Sequence, residues 1–365
     1  MKILLFKIWA IWDIVETTPL IKQLRENFKN AQIDYLVGDR CKSILIWNKN
    51  LNNIFTLQES IFAKRNIIKW IRLIFDLRKK SKVYDYIIIL DKHWIFNLTG
   101  FLWWFKNRFW FNRLWKEWKF LTKSIYIDWQ KRRIEEYLDI LKLFWKNPNY
   151  NQQHTEIFWN IFNKIKNNEK LTSEEKNLLN KHIKNKYEID KLIKKLRKKG
   201  KIIGISTWWW NPLTPTKDCR WWNLKKWGKL TNKLLKQWYN IVLIWSKFDR
   251  NLNINTWNFY NLLWKYPLLE SIYLISQLDL VICQDSGIMH FAWAVDTPLI
   301  ALFWPTNPYK IFPYDREGNF TKIWRIWKEK KECYDVYGSY DKCTWKEIDK
   351  IEVEDVLKLI NYHND

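Results

Sequence analysis

Short apolar runs alternate with amphipathic stretches along most of the 365-residue chain, and this alternation limits the fold more than any other feature. "KILLFKI" reads as a buried strand and "VETTPLIKQLREN" as an amphipathic helix, while "QIDYLVG" and "VYDYIIILD" are further strands. Strands that are apolar throughout need cover on both faces, and helices between them supply it while returning the chain for the next parallel strand. "KRRIEEYLDILKLFW" at 131–145 has helical apolar spacing. A polar Lys/Asn-rich stretch at about 163–200 holds a capping box, "TSEE", and two short helices, and reads as the inter-domain region. A second series opens at "KIIGIST" and runs through helix "NLKKWGKLTNKLLKQ", strand "YNIVLIW", helix "LLESIYLISQ", strand "LDLVICQDSG", helix "GIMHFAWAV" and strand "PLIALFW". The tail "EVEDVLKLINY" is a closing helix. The expected class is therefore α/β, with two Rossmann-like domains facing a central cleft. The boundaries predicted are 1–190, 191–345 and a closing segment 346–365. Ligands of such sheets bind in the crevice at the carboxyl ends of the strands.

Tight strand-to-helix turns need glycine, yet the chain has 8 Gly and 28 Trp. Average usage of about 7% would give roughly 26 Gly. Together the two residue types come close to a normal glycine count plus a few tryptophans. The tryptophans also stand where backbone geometry asks for glycine. Trp238 lies between a helix ending "LLKQ" and a strand starting "YNIV", and Trp145 ends the "ILKLF" helix in the same way. Both are C′ positions, where a left-handed glycine is usual. Trp245 follows the strand "IVLI", and Trp208, Trp209 and Trp210 follow "IGIST". A bulky residue at positive φ is strained. Most of these positions, including Trp9, Trp12, Trp293 and Trp304, are read as glycines written as tryptophan, the outcome when a UGA codon that specifies Gly is translated as Trp. Trp222 and Trp227 are expected to be true tryptophans, because helix "NLKKWGKL" needs an apolar residue there.

The net charge is +25, with lysines spread along most of the chain. A biased genome accounts for such a composition, and so does an anionic partner. Dispersed charge argues against a dedicated nucleic-acid arm and suits loose attachment to anionic lipid. Five cysteines in a chain of this length do not make a disulfide scaffold, which points to a reducing, cytoplasmic setting. Lys7 and Asp13 interrupt the N-terminal apolar run, so it does not read as a signal peptide. No apolar run reaches 18 residues, and no transmembrane helix is expected.

With glycine restored, the opening becomes Gly-Ala-Ile-Gly-Asp, and the later site reads "QDSGIMHFA" followed by Gly-Ala-Val. The sequence then resembles glycosyltransferase family 9, the ADP-heptose:lipopolysaccharide heptosyltransferases. The resemblance covers nearly the whole chain. It is carried by "QIDYLVG", "FWFNR" (Gly at Trp110 once corrected) and "RRIEEYLDILKLF" in the first half. In the second half it is carried by "STWWWNP", "CRWWNLKKW", "NLLWKYPLLE" and "QDSGIMH". It implies a GT-B fold and inverting, metal-independent transfer of a sugar from a nucleotide donor. No cofactor beyond that donor, ADP-linked in the family, is implied. The acceptor implied is a cell-surface glycan or glycolipid, reached at the inner face of the membrane.

The resemblance assigns Asp13 as general base, taking the proton of the acceptor hydroxyl; a plain helix N-cap is the structural alternative. In "QDSGIMH" a strand end precedes a helix whose free N–H groups suit a diphosphate. Ser286 and Gly287 are the phosphate contacts, Asp285 resembles the family residue touching the donor sugar, and His290 is either a ligand contact or a packing histidine. Arg220, with Lys217 in reserve, fits the family's cation that neutralises the phosphates. Asn223 stands where the family has Pro after Trp222, which loosens the local match. Thr207 and Thr306 are donor contacts or turn-forming hydroxyls. Thr17 and Thr18 line the acceptor pocket or cap and pack, and Arg113 is a candidate for an acidic acceptor. Cys333 and Cys343 fit no zinc spacing. Two other classes remain open from the residues alone: a Rossmann oxidoreductase, which lacks the G-x-G-x-x-G signature here even after correction, and a basic nucleic-acid-binding protein.

Overall fold

The computed structural model describes residues 1–8, 10–63, 67–91, 94–112, 120–126, 128, 131–207, 221–244, 259–262, 265–304, 306–311, 323–326 and 348–364. Its contacts divide the chain into two units, Met1–Ile157 and Phe158–Asp365. In the first unit the strands are β1 (Lys2–Lys7), β2 (Gln32–Gly38), β3 (Asn53–Leu57), β4 (Tyr86–Ile89), β5 (Asn107–Asn112) and β6 (Lys123–Tyr126). They form one sheet in the order β3-β2-β1-β4-β5-β6, and every pairing is parallel. The second unit has β7 (Ile202–Ser206), β8 (Asn240–Leu243), β9 (Phe259–Asn261), β10 (Leu280–Gln284), β11 (Leu299–Leu302) and β12 (Ile323–Ile326). Its order, β12-β11-β10-β7-β8-β9, repeats the first sheet's plan strand for strand, again all parallel. This is the doubly wound dinucleotide-fold order. Its winding reverses between the first and fourth strands, at β1/β4 and β7/β10, and the chain ends leaving those strands are where ligands bind.

The unit boundary falls before Phe158, whereas the sequence suggests 190. The intervening helices pack on the second unit: Phe162 meets the Tyr273 ring at 5.3 Å, and Asn185 donates from its backbone N and its Nδ2 to Glu270. The capping box forms as expected. Glu175 N donates to Thr172 Oγ1 at 3.2 Å, and Thr172 N donates to Glu175 Oε2 at 2.8 Å, starting the helix Ser173–His182. The 131–145 stretch is an α-helix only over Arg133–Asp139 and tightens to a 3₁₀ turn over Ile140–Phe144. The closing helix, Val353–Asn364, docks on the helix Leu224–Lys236, with Lys233 Nζ 2.8 Å from Glu354.

Trp222 and Trp227 are buried in the second core, edge to face at 4.9 Å, and Trp222 Nε1 donates to Ile351 O at 2.9 Å. Other tryptophans sit quite differently. Among the described residues, six non-glycine positions have positive φ, and Trp104, Trp145 and Trp238 are three of them. They are 66%, 85% and 77% exposed. Trp145 and Trp238 each close a Schellman motif. Trp145 N donates to Lys142 O and Lys146 N to Leu141 O; Trp238 N donates to Leu235 O and Tyr239 N to Leu234 O. Trp110 sits differently again. It is fully buried, and its Nε1 donates to Asp91 O at 2.6 Å. Trp12 is a half-buried residue inside the short helix Ile11–Val15, so φ does not demand glycine there. Trp9, Trp208, Trp209, Trp210 and Trp245 lie outside the described residues.

Candidate active site

Leaving β1, the chain passes Ile8 and enters the helix Ile11–Val15, whose third residue is Asp13. Ala10 occupies the N-cap without a side-chain bond, so Asp13 is not the cap. Its carboxylate turns instead to two cations: Arg133 Nη1 donates to Oδ1 at 3.0 Å, and Lys7 Nζ lies 3.3 Å from Oδ2. Lys7 projects from the end of β1 and is buried, as is Asp91 just past β4. Lys7 Nζ donates to Asp91 Oδ1 at 3.3 Å, and Ile8 N donates to Asp91 Oδ2 at 2.6 Å. Glu16, also buried, lies 3.6 Å from Arg133. Three carboxylates and two cations thus meet at the β1/β4 reversal. Asp13 is the most open of the acids, 23% exposed against 4% for Asp91 and 1% for Glu16.

Burial drives both members of the buried pair toward neutrality, with different outcomes. Desolvation pulls Lys7 down, but Tyr137, Asp91 and Asp13 outweigh it, and its pKa stands well above the ordinary lysine value. Desolvation pushes Asp91 up to about 6, against the opposing pull of Lys7 and the Ile8 N–H. A cation beside a carboxylate favours its ionised form, the state that can accept a proton.

In the second unit the corresponding ends of β7, β10 and β11 carry hydroxyls. Ser286 is the extended N-cap residue of the helix Gly287–Ala294, and makes no side-chain cap bond. Ser286 Oγ, Thr306 Oγ1 and Ser206 Oγ are all closed to solvent and have no hydrogen-bond partner among the described residues. Buried hydroxyls normally find a partner. Of the three, Ser286 stands at the N-terminus of that helix, where free N–H groups suit an anion. Gln284 braces the turn: its Nε2 donates to Thr207 O at 2.9 Å, and its Oε1 accepts from Trp222 N. Asp285 N donates to Leu302 O at 3.1 Å, tying this turn to β11. Asp285, Thr207 and His290 are buried.

Residues 120–338, more than half of the chain, match the sequence pattern of "Glycosyltransferase family 9 (heptosyltransferase)". The chain belongs to glycosyltransferase family 9. It is 34% identical over 111 residues to lipooligosaccharide heptosyltransferase 2 of Haemophilus influenzae, a stretch that is 28% of this chain and 32% of that protein. The matched stretch thus spans about a third of that relative's length. Lipopolysaccharide heptosyltransferase 1 of Campylobacter coli is 24% identical over 99% of this chain and 98% of its own. The solved structure of Escherichia coli ADP-heptose lipopolysaccharide heptosyltransferase II superposes over 100% of this chain and 98% of its own, with a TM-score of 0.69 at 18% identity. The two Rossmann-like units of this family 9 chain are therefore those of the GT-B fold.

Family membership gives the residues their context. The structure gathers Asp13 with Lys7, Glu16, Asp91 and Arg133 in the first unit. In the second it brings Ser286, Gly287 and Asp285 to the β10 end, with Thr207 at the β7 end. Thr17 and Thr18 are fully committed inside the first unit. Thr17 Oγ1 donates to Ile14 O and meets Tyr35 Oη at 3.1 Å; Thr18 Oγ1 donates to Val15 O and accepts from Glu156 N. These bonds fit the packing alternative for both threonines. Arg113, Lys217, Arg220, Cys333 and Cys343 lie outside the described residues. Sequence reasoning missed Lys7, Asp91, Glu16, Arg133, Ser206 and Gln284. The signals were a lysine at the end of an apolar strand and an aspartate closing "YIIILD". Among the described residues no helix is long and apolar enough to cross a membrane.

Proposed function

We propose that the protein is an inverting glycosyltransferase that moves a heptose-like sugar from an ADP-linked donor to a cell-surface glycan or glycolipid. The observation that carries this is Asp13: an accessible carboxylate held by two cations at the strand reversal of a family 9 chain. Asp13 takes the proton from the acceptor hydroxyl while that oxygen bonds to the anomeric carbon. The bond from the anomeric carbon to the diphosphate oxygen breaks, the diphosphate leaves with the electron pair, and configuration inverts. Ser286, Thr306 and the N–H groups at Gly287 receive the diphosphate and spread its growing charge, aided by the helix dipole. This assignment gives no step to a metal ion. The relatives' names support an acceptor met at the inner face of a membrane, and the positive charge of the chain suits loose attachment to anionic lipid there.

A thermal-shift panel of nucleotide sugars, on protein made with Gly at Trp9, Trp12, Trp145, Trp238, Trp293 and Trp304, tests the donor assignment. ADP-linked sugars are expected to raise the melting temperature most. Stabilisation by NAD with none by any nucleotide sugar would instead support a Rossmann oxidoreductase.

A further inference from the structure

We propose that Asp91 is a positioning residue for Asp13, acting through Lys7; this rests on Asp13 being the base of the reaction above. A lysine ammonium sits on a flexible four-carbon stem and by itself fixes a neighbouring carboxylate poorly. Here it is trapped. Lys7 Nζ stands 3.3 Å from Asp91 Oδ1 and 3.3 Å from Asp13 Oδ2, bridging two carboxylates on opposite sides of the strand reversal. Asp91 is itself fixed. Its Oδ2 accepts from Ile8 N at 2.6 Å, and its carbonyl accepts from the buried Trp110 Nε1 at 2.6 Å. The preceding residue is tied too, with Leu90 N donating to Phe6 O at 2.8 Å. A rigid anion thus aims the ammonium, and the ammonium aims one oxygen of the base while Arg133 takes the other.

A simple clamp between β1 and β4 does not require this carboxylate. The ladder from Ile3–Tyr86 to Phe6–Ile89 already joins the two strands. Burying a charged pair where apolar residues would serve is costly or neutral for stability, so the pair's location beside the most open acid of the cluster points to function. Asp91 is also one of the groups, after Tyr137 and with Asp13, that hold the Lys7 pKa up against the pull of burial.

Asp91→Asn retains the shape but weakens the hold on Lys7. We expect a fall in kcat of about 10–100-fold, the size seen when groups that orient a metal ligand are removed, with the dissociation constant for ADP unchanged. The companion variant, Lys7→Met with Asp91→Leu, replaces the ion pair by apolar side chains. It should be at least as stable as the parent yet show the same or a larger loss of kcat, a separation that a merely structural role would not produce. Recovery of parental kcat in the double variant, or an Asp91→Asn enzyme at full rate, would overturn the proposal. A crystal structure of Asp91→Asn provides a readout independent of turnover. Displacement of Lys7 Nζ and a changed Asp13 rotamer support positioning, and an unmoved Asp13 contradicts it. If the parent protein turns over no ADP-linked sugar while the Asp13 side chain still moves, the proposed reaction has failed and the positioning has not.

Discussion

Replacing Trp238 by Gly should make the protein more stable. Trp238 sits at φ 63° as the C′ residue of a Schellman motif and is 77% exposed, so it loses little packing when truncated. The left-handed conformation costs an L-residue roughly 1–2 kcal/mol. Glycine avoids this but loses more freedom on folding, an offset of roughly 0.4–1 kcal/mol. The net expected gain is about 0.5–1 kcal/mol, which for a unit of this size raises the melting temperature by about 1–4 °C. Urea unfolding followed by circular dichroism provides the comparison, with equal slopes required before midpoints are compared. Trp238→Ala is the informative control, since it removes the same bulk but keeps Cβ. Only the glycine variant should gain stability. A Trp238→Gly protein less stable than the parent, or equal to Trp238→Ala, would refute the backbone argument and with it the strongest local reason to read this residue as glycine.

Further expectations follow the same physics. Trp222→Ala should cost about 3–5 kcal/mol, because a fully packed indole and its bond to Ile351 O are lost; a loss under 1 kcal/mol in urea would contradict its place in the core. Asp91 has a folded pKa raised to about 6 from an ordinary carboxylate value. The folded state therefore binds the extra proton, so this group's stabilisation is complete below about pH 4 and is lost as pH rises to about 6. Relative to Asp91→Asn, the parent should lose up to about 3 kcal/mol across that window, measured as the difference between their urea stabilities at each pH. Dialysis against EDTA should leave turnover unchanged; a loss restored by added divalent cation would remove the metal-independent assignment.

The central strands and the helices between them were legible because they are long, apolar and bounded by polar turns: β1, β2, β4, β7, β8, β10 and β11 all fall on runs readable by eye. The outer strands were not. β3, β6, β9 and β12 end the two sheets and pair on one side only, and β3, β6 and β9 are mostly half-buried or exposed, without the apolar run that full burial writes. The capping box at Thr172 was readable because its bonds are local. Asp13 and the Asp285–Gly287 turn were legible through their place after strands and through the family resemblance. The cluster around Asp13 was not, since Asp91 and Arg133 lie 84 and 126 residues from Lys7 in sequence, and only the fold brings the end of β1, the exit of β4 and the start of the helix Arg133–Asp139 together. Trp145 and Trp238 were readable as left-handed caps because a cap is set by the residues immediately around it.

Turnover by Asp13→Asn tests the assignment of the base most directly. The substitution keeps the size of the side chain and its reach to Arg133 but removes the capacity to accept a proton. With an ADP-linked sugar and a glycolipid acceptor, kcat should fall by about 10²–10⁴-fold, while the dissociation constant for ADP stays within twofold of the parent's. An Asp13→Asn enzyme that transfers sugar at the parental rate would contradict the account.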